Sequence, residues 1–353
     1  MNDLPDLHAT LLTLDSHIDI PWPDGDDPFL DSKTRRVDIP KMRAGGLWAG
    51  CFAAYVPQGP LDTAGHQAAT ARAFAMLERI AGMGAAPDGP DGVGAGRIRT
   101  RLCETADAIE QAHREGCIAI VPAVENAYAF GEDLSVIARF RQQGVRYVTL
   151  THNGHNLVAD SAIPRRDLGD AETRHGGLSG LGRDAVAEMN RHGMLVDVSH
   201  LSRDAMLQAT QVSSTPVVAT HSCIRALCDH RRNLDDTQLD ALRATGGLIQ
   251  ITAMPGFLCP RGESRRGGEA AVADFVDHID YAVARIGVSH VGISSDFDGG
   301  GAIRGWSNAS ESPNVTSELV RRGYSADDIT AFWSGNFLRL LRQAEDRSRE
   351  PAP

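Results

Sequence analysis

Eight short apolar runs punctuate the chain: LLTLDSH (11–17), LWAGCFAAYV (47–56), CIAIVPAVE (117–125), VRYVTLTH (145–152), MLVDVSH (194–200), PVVATHS (216–222), GLIQITA (247–253) and HVGISSDF (290–297). They are rich in Val, Ile and Leu and mostly continuous rather than alternating. That is the pattern of strands buried on both faces of a parallel sheet. Between most of them lie amphipathic helical segments, at 105–116, 134–144, 182–193, 235–247 and 273–287, most of them stopping at a glycine just before the next strand. Strands alternating with helices eight times predict an α/β fold, a (β/α)8 TIM-type barrel with extended βα loops. A chain of 353 residues suits one such domain, expected over 1–344, with the acidic, proline-containing 345–353 as a disordered tail. Two segments break the repeat. Residues 57–104 hold a predicted helix at about 63–81 and then a Gly/Pro-rich stretch, 82–96, expected to be a mobile loop. Residues 159–181 form a long polar loop after the fourth run, expected to wall the site.

The polar residues that end these runs are the informative ones. LLTLDSHID closes with His17 and Asp19, two apart and so on one face of a strand. The later runs end at or near Glu125, His152, His200, His221 and Asp296. Barrel enzymes build their sites at the carboxyl ends of the strands. Imidazoles and carboxylates together suit Zn, Fe, Mn or Ni better than Ca or Mg. Two metals a few ångströms apart need a bridging ligand. A carboxylated lysine is ruled out by inventory, because the only lysines are Lys33 and Lys41, and Glu125 is the natural bridge. A water between two divalent ions would ionise near neutral pH. Asp296, in SSDFDGGG, can take its proton and pass it to a leaving amine; Asp298 competes, but Asp296 directly follows the strand. His152 can polarise a scissile carbonyl. An arginine of HRRN (230–233) can grip a substrate carboxylate in bidentate fashion.

Composition narrows the partners. A net charge of −11 argues against nucleic acid or an anionic membrane surface. Six cysteines without a C-x-x-C pair read as free thiols in a reducing cytoplasm. The first residues lack the basic and long apolar regions of a secretory signal, and no run approaches the ~20 apolar residues of a membrane span. The expectation is a cytoplasmic protein with a small-molecule substrate, binding neither nucleic acid nor membrane.

DSHIDIP, YVTLTHNGHN with ADS, GLSGLG, LVDVSHLS, VVATHS with RRN, and VGISSDFDG follow one another in this order. In these motifs the chain resembles the membrane dipeptidase (renal dipeptidase) family of zinc metallopeptidases, in the amidohydrolase superfamily, over roughly 10–342. The resemblance implies an amidohydrolase-like barrel with two Zn2+ per subunit, bridged by Glu125 and a water or hydroxide. The first metal would sit on His17, Asp19 and Glu125, the second on Glu125, His200 and His221. His152 and Arg232 would bind substrate, Arg232 taking the terminal carboxylate, and Asp296 would be the acid/base. It also implies a homodimer acting on L-Xaa-L-Xaa or L-Xaa-D-Xaa dipeptides. Three positions depart from the family pattern: Asn126 and Ala127 stand where glycines usually follow the glutamate, and Val158 where a tryptophan is common. The alternative is another amidohydrolase, acting on N-acyl amino acids or cyclic amides. Many of those carry H-x-H on the first strand, against which His17-Ile18-Asp19 counts.

Overall fold

Nine parallel strands make one sheet in the computed structural model, which describes residues 4–84, 98–264 and 266–349. They are β1 (Leu14–Asp19), β2 (Ala49–Tyr55), β3 (Arg99–Leu102), β4 (Cys117–Glu125), β5 (Tyr147–Thr149), β6 (Leu195–Asp197), β7 (Val218–Ser222), β8 (Leu248–Thr252) and β9 (Val291–Ser294). Eight follow one another in the order β1-β2-β4-β5-β6-β7-β8-β9, and β3 pairs only with β4. The ring is drawn together just past β9. There Asp296 donates its backbone N–H to His17 O at 3.1 Å, and Asp19 to Phe297 O at 3.0 Å. The fold is the (β/α)8 barrel that the apolar runs predict; seven of the eight runs contain their strand whole, and β1 extends two residues past its run.

β3 is the departure. It lies in the 57–104 excursion and lines Arg99–Leu102 along Cys117–Ile120, the first half of β4. Its sequence, RTRL, has no apolar run, and no residue in it is buried. The helix expected at 63–81 spans Thr63–Gly84. The stretch expected to be mobile, 82–96, falls almost wholly outside the described residues. At the other end, the last helix runs Asn336–Arg349, five residues into the segment expected to be a tail. Two contacts explain this. Phe337, Leu338, Leu340 and Leu341 bury against Leu14, Leu195 and Leu248 in one apolar cluster, and Glu345 accepts the N–H of Ala106 at 2.9 Å. The polar composition of 345–349 hid the end of a helix held by tertiary packing.

Strand parity divides the interior. Leu14, Cys51, Val121, Tyr147, Leu195, Val218 and Leu248 belong to one cluster, and their neighbours Phe52, Ile120, Val148, Val196, Ala219 and Ile249 to another. Alternation along a strand produces these two faces. Tyr55 and Glu125 share the inward parity of Cys51 and Val121, so the same register that fills the barrel aims them at its mouth. The long 159–181 loop is anchored rather than free: Asp160 accepts the backbone N–H groups of Arg174, His175 and Gly177 at 2.8, 3.0 and 3.0 Å. Among the described residues, no helix is long and apolar enough to cross a membrane.

Candidate active site

Glu125 ends β4 at the centre of the barrel mouth, nearly buried at 3% exposure. Its two oxygens face different partners. Oε2 lies 3.7 Å from His17 Nε2, which is itself 3.7 Å from Asp19 Oδ1. Oε1 lies 3.1 Å from His200 Nε2 and 3.4 Å from His221 Nε2. All five residues expected as metal ligands therefore converge, in two sets that share one carboxylate. Asn126 follows with φ of 85°, a left-handed conformation that asparagine tolerates and other non-glycine residues avoid.

The imidazoles are held by their far nitrogens. His17 Nδ1 is 2.9 Å from Tyr147 Oη, whose proton goes to Ser16 O at 2.9 Å, so His17 donates from Nδ1 and Nε2 is the nitrogen turned to the carboxylates. His200 Nδ1 faces Asn153 Oδ1 at 3.3 Å. His221 Nδ1 faces Thr220 Oγ1 at 2.9 Å. His17 Nε2 and Asp19 Oδ1 are buried without a hydrogen-bond partner. Buried polar atoms are rarely left so, and a pair aimed at one point fits a cation.

Asp296 sits at the turn after β9 with φ of 59°, and its carboxylate accepts no hydrogen bond among the described residues. Asp298 is committed elsewhere: it accepts the N–H groups of Arg36 at 2.7 Å and Val37 at 3.2 Å. That separates the two carboxylates of SSDFDGGG in favour of Asp296. Gly299 lies between the acids, where a Cβ would stand 2.5 Å from Asp296 Oδ1 and 2.6 Å from Asp19 Oδ2. His152 packs edge-on to Tyr55, ring centroids 4.7 Å apart, and 4.3 Å from His200. Arg232 is 3% exposed, with one N–H on His221 O at 3.2 Å and Nε unpartnered. No carboxylate pairs with it among the described residues. Arg231 is 56% exposed and bound to Glu172 at 2.9 Å, which leaves Arg232 as the arginine of HRRN that faces the site.

The electrostatics are those of a site built for cations. Burial lowers His17, but the neighbouring Glu125 carboxylate outweighs it and lifts the imidazole to about 10. Burial and the Glu125 charge push Asp19 well above the usual carboxylate range. Burial and the His17 charge press His221 down to about 3. Asp296 is raised to about 7, chiefly by burial. Arg232 is lowered to about 10 by burial. Three carboxylates crowd one buried space, where a proton on His17 is the main compensation. Divalent cations would supply it directly, and the donor set of imidazole and carboxylate fits them.

Sequence reasoning missed Tyr55, Tyr147, Asn153, Asp197 and Thr220, which orient the expected residues. Inward parity marks three of them, since Tyr55, Tyr147 and Asp197 stand at core-facing positions of their strands. Asp15 proves to be a strand tie, accepting Ser295 N–H at 2.9 Å and His17 N–H at 3.2 Å, and it touches no imidazole.

The chain matches the membrane dipeptidase family (peptidase family M19) over residues 1–352. It is 35% identical over 331 residues to dipeptidase tcpJ of Claviceps purpurea, spanning 91% of this chain and 72% of that one. Other fungal dipeptidases match over 54% to 61% of their own length. Among solved structures, the probable dipeptidase PvdM from Pseudomonas aeruginosa superposes with a TM-score of 0.88 at 30% identity, covering 98% of both chains. A metallo peptidase from Rhodobacter sphaeroides, liganded with a phosphinate mimic of the dipeptide L-Ala-D-Ala, does so with a TM-score of 0.79 at 27% identity. It covers 95% of this chain and 99% of its own.

Proposed function

The chain belongs to the membrane dipeptidase family of metallopeptidases, and from that premise we propose that it is a binuclear zinc dipeptidase built on one barrel domain. In this reading His17 and Asp19 hold one ion, His200 and His221 the other, and Glu125 gives one oxygen to each. When bound, divalent cations would supply Lewis acidity and lower the pKa of a bound water. The other roles belong to the protein. Asp296 receives the proton of the attacking water and delivers it to the leaving amine, a role open to a buried carboxylate that accepts no hydrogen bond among the described residues. His152, held below its ordinary value by burial, stays neutral and offers an N–H to the carbonyl oxygen.

The observation that carries the dipeptide reading is Arg232. A buried guanidinium without a counter-ion is costly. A free α-carboxylate would pair with it while placing the peptide bond one residue away, near His152 and Asp296. That geometry selects short substrates with a terminal carboxylate. The phosphinate complex of the Rhodobacter sphaeroides relative supports including L-Xaa-D-Xaa substrates beside L-Xaa-L-Xaa. We read the protein as a cytoplasmic homodimer, which light scattering on the purified enzyme tests.

Zinc-reconstituted enzyme assayed against L,L-, L,D- and N-acyl dipeptides decides the reading. Turnover of a dipeptide is expected. Activity confined to an N-acyl amino acid or a lactam would overturn it. Arg232→Met is expected to reduce kcat/KM by roughly 2–4 kcal/mol, the cost of leaving one member of a buried charged pair alone; an unchanged value means Arg232 does not hold the substrate.

A further inference from the structure

Asp197 lies on β6 with its side chain wholly buried. Its carboxylate oxygens come close enough to His17 and His221 to form a triad that could itself hold a metal. Its hydrogen bonds argue otherwise. Oδ1 accepts Ser199 N–H at 2.9 Å and Thr220 N–H at 3.1 Å. Oδ2 accepts the hydroxyls of Thr149 at 2.6 Å and Thr220 at 2.7 Å. Four donors from three strand ends occupy both oxygens, and a cation would have to displace them.

The consequence runs through Thr220. The Thr220 hydroxyl donates to Asp197 Oδ2, so its one proton is committed there. The hydroxyl oxygen can then only accept from His221 Nδ1, 2.9 Å away. His221 must carry its proton on Nδ1, and its lone pair stands on Nε2, 3.4 Å from Glu125 Oε1. His17 is held by a neutral chain instead, Tyr147 Oη and then Ser16 O. The two cation positions are therefore backed unequally.

We propose that Asp197 is a positioning residue, acting through Thr220 to fix the tautomer and basicity of His221, so that it tightens the cation position of His200 and His221 and not that of His17 and Asp19. The inference rests on the two-cation reading above. An anion behind a ligating imidazole, relayed here by one hydroxyl, orients the ring and raises its donor strength.

The test is titration calorimetry of metal-free protein with Zn2+ alone, beside long-range 1H–15N spectra of the histidine rings. Thr220→Val keeps the β-branched shape and removes the relay; Thr220→Ser keeps the hydroxyl. Thr220→Val is expected to weaken one of two Zn2+ sites by about 10–100-fold, to leave the other within about twofold, and to abolish the Nδ1–H signal pattern of His221. Thr220→Ser should restore all three. Asp197→Asn should follow Thr220→Val. It serves as the second variant if Thr220→Val does not fold, which circular dichroism of the metal-free protein reports. Two unaltered sites in Thr220→Val, or equal weakening of both, would overturn the relay. Wild-type protein that binds fewer than two Zn2+ would instead overturn the two-cation reading itself.

Discussion

Glu125 is the residue on which the candidate site turns, because its two oxygens face two separate sets of ligands. Replacing it should not affect one cation alone. Glu125→Ala is expected to weaken both Zn2+ positions together, each by more than the roughly 10–100-fold that losing an orienting partner costs. Titration with Zn2+ checks this, and loss of a single site would argue against a bridge. Gly299 is a second test at this scale. A methyl there would press on Asp296 Oδ1 and Asp19 Oδ2 at 2.5 and 2.6 Å, so one of the two acids must move. Gly299→Ala is expected to reduce kcat by about 100-fold or more, as misplacing an acid/base does, while thermal stability changes little. Wild-type activity in that variant would mean the acids need not approach each other.

The strands position these residues, and their ends are where regular backbone gives way. Asn126, His200, Asp296 and Asp298 all have positive φ, four of the five non-glycine residues that do so among the described residues. Such conformations persist where the surroundings over-determine them, and they cluster at functional sites. Asp15 is one of the determinants. Its Oδ1 ties the start of β1 to Ser295 just past β9, where the barrel closes and Asp296 begins its turn. Asp15→Ala leaves two backbone N–H groups without that acceptor, and a loss of about 1–3 kcal/mol is expected in urea unfolding. Unchanged stability would mean that closure does not depend on this side chain. The element least legible beforehand, β3, is held by its register with β4 and not by any apolar pattern of its own.

Across the whole molecule, the first helix is pinned to the helix Pro313–Arg321 by a neutral histidine. His8 accepts the Thr316 hydroxyl on Nδ1 at 2.7 Å and donates from Nε2 to Gly45 O at 2.8 Å. The assignment is consistent because Thr316 Oγ1 receives the Trp333 indole N–H at 2.9 Å. Burial holds His8 below its ordinary 6.5. The unfolded chain therefore binds a proton at a pH where the folded protein does not. Stability from this group is complete above about pH 6.5 and is lost as pH falls from there through the folded value. Urea midpoints of the metal-free protein are expected to fall between pH 7 and 5, and to fall less steeply in His8→Gln. Equal slopes would show that His8 does not carry the acid sensitivity.

The eight strands and the set of polar residues that the barrel brings together at its mouth were legible in the sequence, because both rest on local rules. Continuous Val/Ile/Leu runs mark buried parallel strands, and the polar residue that ends such a run marks the barrel rim. The choice of Glu125 over lysine needed only an inventory, and Lys41 is in fact spent on Asp31 and Asp38 away from the site. Tertiary structure alone decided the rest. The preference for Asp296, which its place after the strand already suggested, gained a physical ground when the loop at Arg36 and Val37 took the carboxylate of Asp298. Arg232 parted from Arg231 by burial on one side and Glu172 on the other. The tail became a helix because the barrel floor had apolar surface to bury against. The supporting chain of Asp197, Thr220 and His221 joins β6 to β7 across more than twenty residues, and no local pattern records which oxygen a hydroxyl proton will reach.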